Sequence, residues 1–138
     1  MPKLAYTDAP AAIEFLCRAF GFRETYRLAM PDGTIGHAQL SAPTGDAIVM
    51  LATSWEAGGL TSPLNLPKQH SEVCCFVDDI DAHHARARDE GAIIVSEPAD
   101  QFYGDRTYRA VDLEGQRWVF MQPVREVSPE EMEKAVKG

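Results

Sequence analysis

Apolar residues recur three and four positions apart between Ile13 and Phe20, a spacing that places them on one face of a helix. The predicted helix begins after Asp8, a favourable N-cap, and ends at Gly21, a favourable C-cap. Three strand-like segments follow, over residues 22–30, 35–42 and 47–51. With a short strand ahead of the helix, the first part of the chain is predicted to fold as a β-α-β-β-β module.

The same order of elements occurs a second time. A predicted helix runs from the N-cap Asp79 to Gly91. The predicted strands around it cover residues 73–77, 92–97, 106–112 and 116–122. Residues 44–51 align with residues 114–121 at an offset of 70 without a gap, although few residues are identical. Matched caps, turns and strand lengths therefore predict two tandem β-α-β-β-β modules.

A predicted loop over residues 53–70 joins the modules, because it is rich in glycine and proline; it contains one aromatic residue, Trp55. A C-terminal helix is predicted after the N-cap Ser128, with Glu131 completing a capping box. We expect this helix to pack on the surface or on a partner subunit. The expected organisation is a single domain over residues 1–127, made of module one (1–52), the loop and module two (71–124), with the helix at 128–138.

Composition limits the classes of function. The 138 residues are 45% hydrophobic, enough for one domain with a core. Net charge is −8, which disfavours nucleic acid as a partner; the charge either attracts a cationic ligand or serves solubility.

No apolar run is long enough to span a bilayer, so no membrane association is expected. The three cysteines, Cys17, Cys74 and Cys75, are expected to be reduced thiols in the cytoplasm.

Two stretches of sequence carry a family resemblance. Residues 9–22, ending in Phe20-Gly21-Phe22, resemble the opening of the first module in the vicinal-oxygen-chelate superfamily, which includes glyoxalase I, bleomycin-resistance proteins and extradiol dioxygenases. Residues 102–118 are similar to the closing hairpin of bleomycin-resistance-like and PhnB-like members. The resemblance covers residues 3–124. It implies an α+β fold, in which two mixed sheets curl around a cleft, and a homodimer whose clefts are built from two modules.

The resemblance also implies where the metal ligands of the family's enzymes would lie. These ligands come from the first and last strands of each module, at positions occupied here by Met1, Val49, Glu72 and Val119. A register shifted by one residue places Met50 and Phe120 at the last-strand positions, which are no better as ligands. Only Glu72 could bind a divalent ion, and a metal site needs about three protein ligands. We therefore expect no metal, no cofactor and no catalytic residue. A weaker alternative pairs His70 with Glu72 on one face of a strand.

Strand alternation, combined with the family geometry, predicts which residues line the cleft. The family geometry implies that Val119 faces the cleft, which assigns Trp118 and Phe120 to the core. By the repeat, Val49 faces the cleft, with Ala47 and Leu51, while Ile48 and Met50 are assigned to the core. The predicted ligand-binding residues, including two in loops above the cleft, are His37, Gln39, Val49, Trp55, Glu72, Cys74, Tyr103, Thr107, Arg109 and Val119.

These residues predict metal-independent binding or sequestration of a small organic molecule. An antibiotic or peptide-like metabolite with planar aromatic groups would stack on Trp55 or Tyr103. One alternative is a metal-dependent lyase, isomerase or dioxygenase of the glyoxalase type, with ligands such as His37, His70 and Glu72. A second is a cleft that is closed by its own polar side chains or that serves only as the scaffold of a dimer.

Overall fold

The computed structural model describes residues 1–137, in which two similar modules precede a C-terminal helix. Module one consists of β1 (Lys3–Tyr6), α1 (Ala9–Phe20), β2 (Arg23–Ala29), β3 (Ile35–Ser41) and β4 (Ile48–Thr53). Module two consists of β5 (Val73–Phe76), α2 (Ile80–Asp89), β6 (Ile93–Asp100), β7 (Asp105–Val111) and β8 (Arg117–Pro123). The final helix is α3 (Pro129–Lys137). Two short 3-10 turns, at Glu56–Gly58 and Pro63–Asn65, lie in the connecting loop.

Each module forms its own four-stranded sheet. The strand order is β1-β4-β3-β2 in the first sheet and β5-β8-β7-β6 in the second. The first strand of each module pairs in parallel with the last, and the remaining pairs are antiparallel. The predicted α+β fold with two tandem modules and mixed sheets is therefore confirmed. The finer division into a domain at 1–127 and a separate terminal helix stays a prediction.

The helices begin where their caps predict. The Asp8 carboxylate accepts a hydrogen bond from the Ala11 amide at 3.1 Å, and the Asp79 carboxylate accepts one from the Ala82 amide at 3.2 Å. Gly21 ends α1 in the left-handed conformation, with φ of 77°, which glycine adopts without steric cost. At α3, the Ser128 hydroxyl accepts from the Glu131 amide at 3.2 Å, as the capping box predicts.

The two modules share one hydrophobic core between their helices. Helix α1 packs against α2, and the Phe20 ring lies 4.8 Å from that of Phe120 and 5.6 Å from that of Trp118, between ring centroids. Trp118 has no solvent exposure, so its assignment to the core is confirmed. Since each sheet turns one side toward this core, its other side is free of its own module's helix; we call that side the open face.

The N-terminal end of α1 is held by a turn of module two. The Glu114 carboxylate, in the β7–β8 turn, accepts hydrogen bonds from the backbone amides of Thr7 at 2.7 Å and Asp8 at 2.8 Å. The Ser62 hydroxyl donates to the same carboxylate, so the connecting loop is tied to this point as well. Amides at a helix start have no partner within the helix, and here a carboxylate from the other module satisfies them.

The C-terminal end of α1 is held by α2. Arg86 donates to the backbone carbonyls of Arg18 at 2.8 Å and Cys17 at 3.2 Å. His83 Nε2 lies 2.8 Å from the Phe20 carbonyl oxygen, which can only accept, so this nitrogen carries the proton. Nδ1 then accepts from the Tyr108 hydroxyl at 2.6 Å. Burial lowers the pKa of His83 to about 4, so the ring is neutral near pH 7.

Strand β4 presents the opposite face from the one predicted. Val49 is only 5% exposed and belongs to the core, as does Leu51. Met50 pairs with Gln39 on the open face, and Ile48 alternates with the core residues in the same way. The predicted placement of Val49 in the cleft is therefore wrong.

The turn before β4 explains this error. In module one the turn closes through a hydrogen bond from the Ala42 amide to the Ala47 carbonyl, whereas in module two it runs from the Asp112 amide to the Gln116 carbonyl. The first turn is thus one residue longer, which moves the strand alignment from an offset of 70 to 69. A slip of one residue exchanges the two faces of a strand.

None of the three helices in residues 1–137 is long and apolar enough to cross a membrane. Helix α3 carries no buried residue and lies largely in solvent.

Candidate functional site

The open face of the first sheet carries His37 and Gln39, as predicted. Ala38 and Leu40, which alternate with them along β3, are fully buried against the helix. His37 Nε2 lies 3.1 Å from Gln39 Oε1, and the Tyr26 ring packs 6.1 Å from the imidazole, between ring centroids. This face therefore offers an aromatic and polar surface in which the two polar side chains are partly satisfied by each other.

The open face of the second sheet brings together four of the predicted residues. Cys74 pairs with Val119, which in turn pairs with Arg109, so the three side chains cross β5, β8 and β7 in one row. Val119 lies outside the core cluster that contains Val49, but it is only 4% exposed and offers little surface to a ligand. Glu72, just before β5, lies 3.5 Å from the Arg109 guanidinium. Both charged groups are partly exposed, so this ion pair contributes little to stability and leaves both groups available to a ligand.

Thr107 and Tyr103 mark the end of this face. Thr107 is buried, and its hydroxyl accepts from the Gln101 side-chain amide at 3.1 Å. Tyr103 is partly exposed and packs edge-on against Phe102, with 5.2 Å between ring centroids. Thr107 thus supports the loop beside the sheet, whereas the two aromatic rings are accessible to a ligand.

Trp55 lies in a different place, beside the open face of the first sheet. Its side chain is 63% exposed and borders a cavity of about 430 Å³. Apolar walls come from Met30, Ile35, Ala52 and Leu60, and charged groups from Lys3 and Asp32. The indole packs on the backbone of Gly58, where a Cβ atom would collide with the ring. The ring is therefore positioned before any ligand arrives.

The predicted residues form separate groups within one chain. His37 and Gln39 belong to the first sheet, Glu72, Cys74 and Arg109 to the second, and Trp55 borders its own cavity. In the part of the chain that the structure describes, the modules meet through α1 and α2 and no strand of one sheet pairs with the other. Within residues 1–137, no hydrogen bond or ion pair joins the His37–Gln39 group to the Glu72–Arg109 group.

The two adjacent cysteines differ in environment. Cys74 is exposed on the open face, whereas Cys75 is buried on the core side. Burial raises the pKa of the Cys75 thiol to about 11, so it stays protonated near pH 7 and behaves as a small apolar residue.

The residues at the family's metal positions do not fit a divalent ion. With the corrected register, the open-face positions hold Met1, Met50, Glu72 and Val119. One carboxylate beside two thioethers and an aliphatic chain is not the nitrogen and carboxylate donor set that such ions require. Within residues 1–137, no three His, Cys, Asp or Glu side chains cluster as a metal site. These four positions therefore do not form a site for a divalent ion.

Sequence reasoning missed a buried polar network around Asp112. The Asp112 carboxylate accepts from the Tyr6 hydroxyl at 2.6 Å, from the Trp118 indole at 3.1 Å, and from the backbone amides of Glu114 and Gln116. Burial raises its pKa, and these four hydrogen bonds oppose that effect. These hydrogen bonds to Asp112 thus stabilise the β7–β8 hairpin, which carries the family resemblance. The signal in the sequence that could have indicated this network is Asp112, an acidic residue at the start of a turn that precedes the core residue Trp118.

Comparison with known proteins agrees with this architecture. The model of the Glyoxalase/Bleomycin resistance protein/Dioxygenase superfamily matches residues 2–120. An uncharacterized protein of Mycobacterium tuberculosis is 34% identical over 138 residues, which cover 99% of this chain and 81% of that protein. These matches extend over both modules, so they concern the whole fold and not one motif.

Solved structures show the same fold. TioX from Micromonospora sp. ML1 is 36% identical, with a TM-score of 0.69 over 90% of this chain and 98% of that one. TnmS3, an antibiotic binding protein from Streptomyces sp. CB03234, is 21% identical, with a TM-score of 0.64 over 88% of this chain and 91% of that one. This chain belongs to the Glyoxalase/Bleomycin resistance protein/Dioxygenase superfamily.

Proposed function

We propose that this protein binds and sequesters a small organic molecule that carries a planar aromatic group, without a metal ion. The observation that carries the proposal is the cavity beside Trp55. It combines an exposed indole, apolar walls and two opposite charges, Lys3 and Asp32, within about 430 Å³. A concave, largely apolar site with few polar groups is typical of small-molecule binding.

The fixed position of the indole favours stacking as the source of affinity. Gly58 supports the ring, so little side-chain freedom is lost when a ligand binds. Stacking of a planar ring contributes about 0.5–1.5 kcal/mol beyond the burial of apolar area. The antibiotic binding described for TnmS3 supports the same class of ligand, since the two proteins share a fold.

We also propose that the functional unit is a homodimer, in the cytoplasm. Large apolar side chains are exposed on or beside both open faces, among them Tyr26 and Leu28 in module one and Phe76 and Ile93 in module two. Exposed apolar surface of this kind marks a contact surface. Pairing of module one with module two of the partner would place His37 and Gln39 opposite Glu72 and Arg109.

A ligand screen with a matched variant tests the binding proposal. Planar aromatic antibiotics are screened by thermal shift, and the Kd of each hit is measured by calorimetry with the parent protein and with Trp55→Ala. A ligand at 100 times its Kd should stabilise the parent by about 2.7 kcal/mol. Trp55→Ala should weaken binding about tenfold, the effect of 1.4 kcal/mol, and Trp55→Phe should restore much of it.

Two results would contradict the proposal. Equal affinity of parent and Trp55→Ala for every hit would show that the cavity is not the site. Loss of binding after treatment with a chelator, restored by a divalent ion, would favour a metal-dependent activity.

A further inference from the structure

A second cavity, of about 470 Å³, lies between the connecting loop and the β7–β8 hairpin. The loop contributes Lys68, and β8 contributes Arg117, whose strand partner Val111 also borders the space. The remaining apolar walls come from Pro63, Leu66 and Pro67. This cavity shares no lining residue with the one beside Trp55.

The charge of this cavity is opposite to that of the whole chain. The protein has net charge −8, yet the cavity is lined by two cations and no carboxylate. Neither Lys68 nor Arg117 forms an ion pair with any residue between 1 and 137. An adjoining cavity of about 170 Å³ also has no carboxylate in its lining; it includes Lys3, which borders the Trp55 cavity as well. Two unpaired like charges beside one cavity favour an anion between them.

Glu72 is an acidic residue close to this positive charge. It borders a neighbouring cavity of about 230 Å³ that also includes Arg117. Its carboxylate, however, lies 3.5 Å from the Arg109 guanidinium, with which it is paired. No ion pair joins Glu72 to Arg117 within residues 1–137, so the Arg117 guanidinium can donate to a ligand.

The elements that carry the two cations are fixed relative to each other. The Ser62 hydroxyl, at the start of the loop segment that leads to Lys68, donates to Glu114 in the β7–β8 turn. The same hydroxyl accepts from the Leu64 amide at 3.1 Å, which closes a turn over Pro63–Asn65. The loop and the hairpin are thus joined beside the cavity, so a ligand would find both sides already in place.

We infer that this cavity binds an organic anion, with a carboxylate or phosphate held between Lys68 and Arg117. The planar guanidinium of arginine can donate two parallel hydrogen bonds to such an oxyanion. The wall is mainly polar, with Gln69 beside the two cations. Its smaller apolar part, from the prolines, Leu66 and Val111, leaves room for a small apolar body attached to the anionic group. This site is distinct from the one proposed beside Trp55, because the two cavities share no lining residue and differ in charge.

Three probes of similar shape and different charge test the inference. Binding of cyclohexanecarboxylate, cyclohexyl phosphate and the neutral cyclohexanecarboxamide, none of which has an aromatic ring to stack on Trp55, is measured by calorimetry and by amide shifts in NMR spectra. At least one anion should bind, with an affinity that falls as salt rises, and the amide should bind at least about tenfold more weakly. The two anions distinguish carboxylate from phosphate recognition.

Matched variants assign the binding to the cavity. Lys68→Gln and Arg117→Gln should each weaken binding of the anion about tenfold, whereas Arg23→Gln on β2 should leave it unchanged. Trp55→Ala should also leave it unchanged, which separates this site from the proposed function. Lys68 is exposed, so its variant tests the site without disturbing the fold.

Several outcomes would overturn the inference. These are no binding of either anion at millimolar concentration, equal binding of the amide, anion binding that survives both cavity substitutions, or anion binding that is lost in Trp55→Ala.

Discussion

The two tryptophans show how differently one residue type is used in this protein. Trp118 is buried among aromatic rings from both modules and donates to Asp112 at 3.1 Å, whereas Trp55 is exposed beside a cavity. Strand alternation predicts the first position, and the glycine-rich loop predicts the exposure of the second. Neither pattern predicts the contact with Asp112, because it depends on the arrangement of a turn and two strands.

Trp118→Ala should therefore destabilise the fold strongly. The substitution opens a large cavity in the shared core and removes one donor from a buried carboxylate. We expect a loss of about 3–5 kcal/mol in the free energy of unfolding, measured by urea denaturation. Trp55→Ala, the matched control, should change this free energy by less than about 1 kcal/mol. Similar stability of the two variants would contradict the assignment of Trp118 to the core.

His83 makes stability depend on pH. Its pKa is lowered to about 4 in the folded protein against 6.5 in an unfolded chain, so the unfolded state binds the proton first. The contribution of the neutral His83 ring to the free energy of unfolding is fully present above pH 6.5 and is lost as the pH falls toward 4. The difference between 6.5 and about 4 corresponds to roughly 3 kcal/mol.

The variant His83→Gln tests this dependence, because an amide can donate to Phe20 and accept from Tyr108 without titrating between pH 4 and 7. The free energy of unfolding of the parent should fall more steeply between these pH values than that of the variant. His70→Gln, at an exposed position, should behave as the parent does. Parallel pH profiles of parent and His83→Gln would contradict the prediction.

Among the elements, the connecting loop is the part whose precise shape determines a candidate site. Gly58 lies directly against the Trp55 indole, with no room for a Cβ atom. Gly58→Ala should therefore displace the indole into solvent and weaken binding of an aromatic ligand about tenfold, while stability changes little because the ring is exposed. Calorimetry and thermal denaturation measure the two effects, with Ala57→Ser as the control. Unchanged binding in Gly58→Ala would contradict the proposed position of the ring.

The elements also show what the sequence can and cannot predict. Caps at Asp8 and Asp79, turns and apolar spacing were sufficient for the order of strands and helices. The face of β3 followed from alternation, because Ala38 and Leu40 alternate there with polar residues, whereas the face of β8 was assigned from the family geometry. In β4 both sets of alternate residues are apolar, so alternation does not show which set faces the core. The length of the preceding turn decides this, and the pattern of apolar and polar residues does not reveal that length.

The candidate site was harder to predict than the fold. His37, Gln39, Glu72, Cys74 and Arg109 lie on open faces, as alternation requires. The cavities depend on loops that pass over the sheets, where no periodicity relates a residue to its position. Lys68 belongs to such a loop, and its placement near Arg117 follows from the contact between Ser62 and Glu114.

At the scale of the molecule, the two open faces predict self-association. We expect a homodimer at micromolar concentration in sedimentation experiments, because pairing would cover exposed apolar side chains on both sheets. Leu28→Arg should shift the protein toward the monomer without unfolding it, since Leu28 is exposed in the single chain. Glu14→Arg, on the solvent side of α1, is the control. A parent protein that sediments as a monomer would end this prediction.

Helix α1 is capped at both ends by groups from module two: Glu114 at its start, and His83 and Arg86 at its end. We therefore expect the two modules to unfold together, although the repeat divides the chain into two parts. Module one alone would lose the partners of its own helix ends together with half of the shared core. We expect a single calorimetric transition, with the van't Hoff and calorimetric enthalpies equal, and no partly unfolded form in which one module survives the other. Although the structural unit occurs twice in the chain, we expect the chain to unfold as one unit.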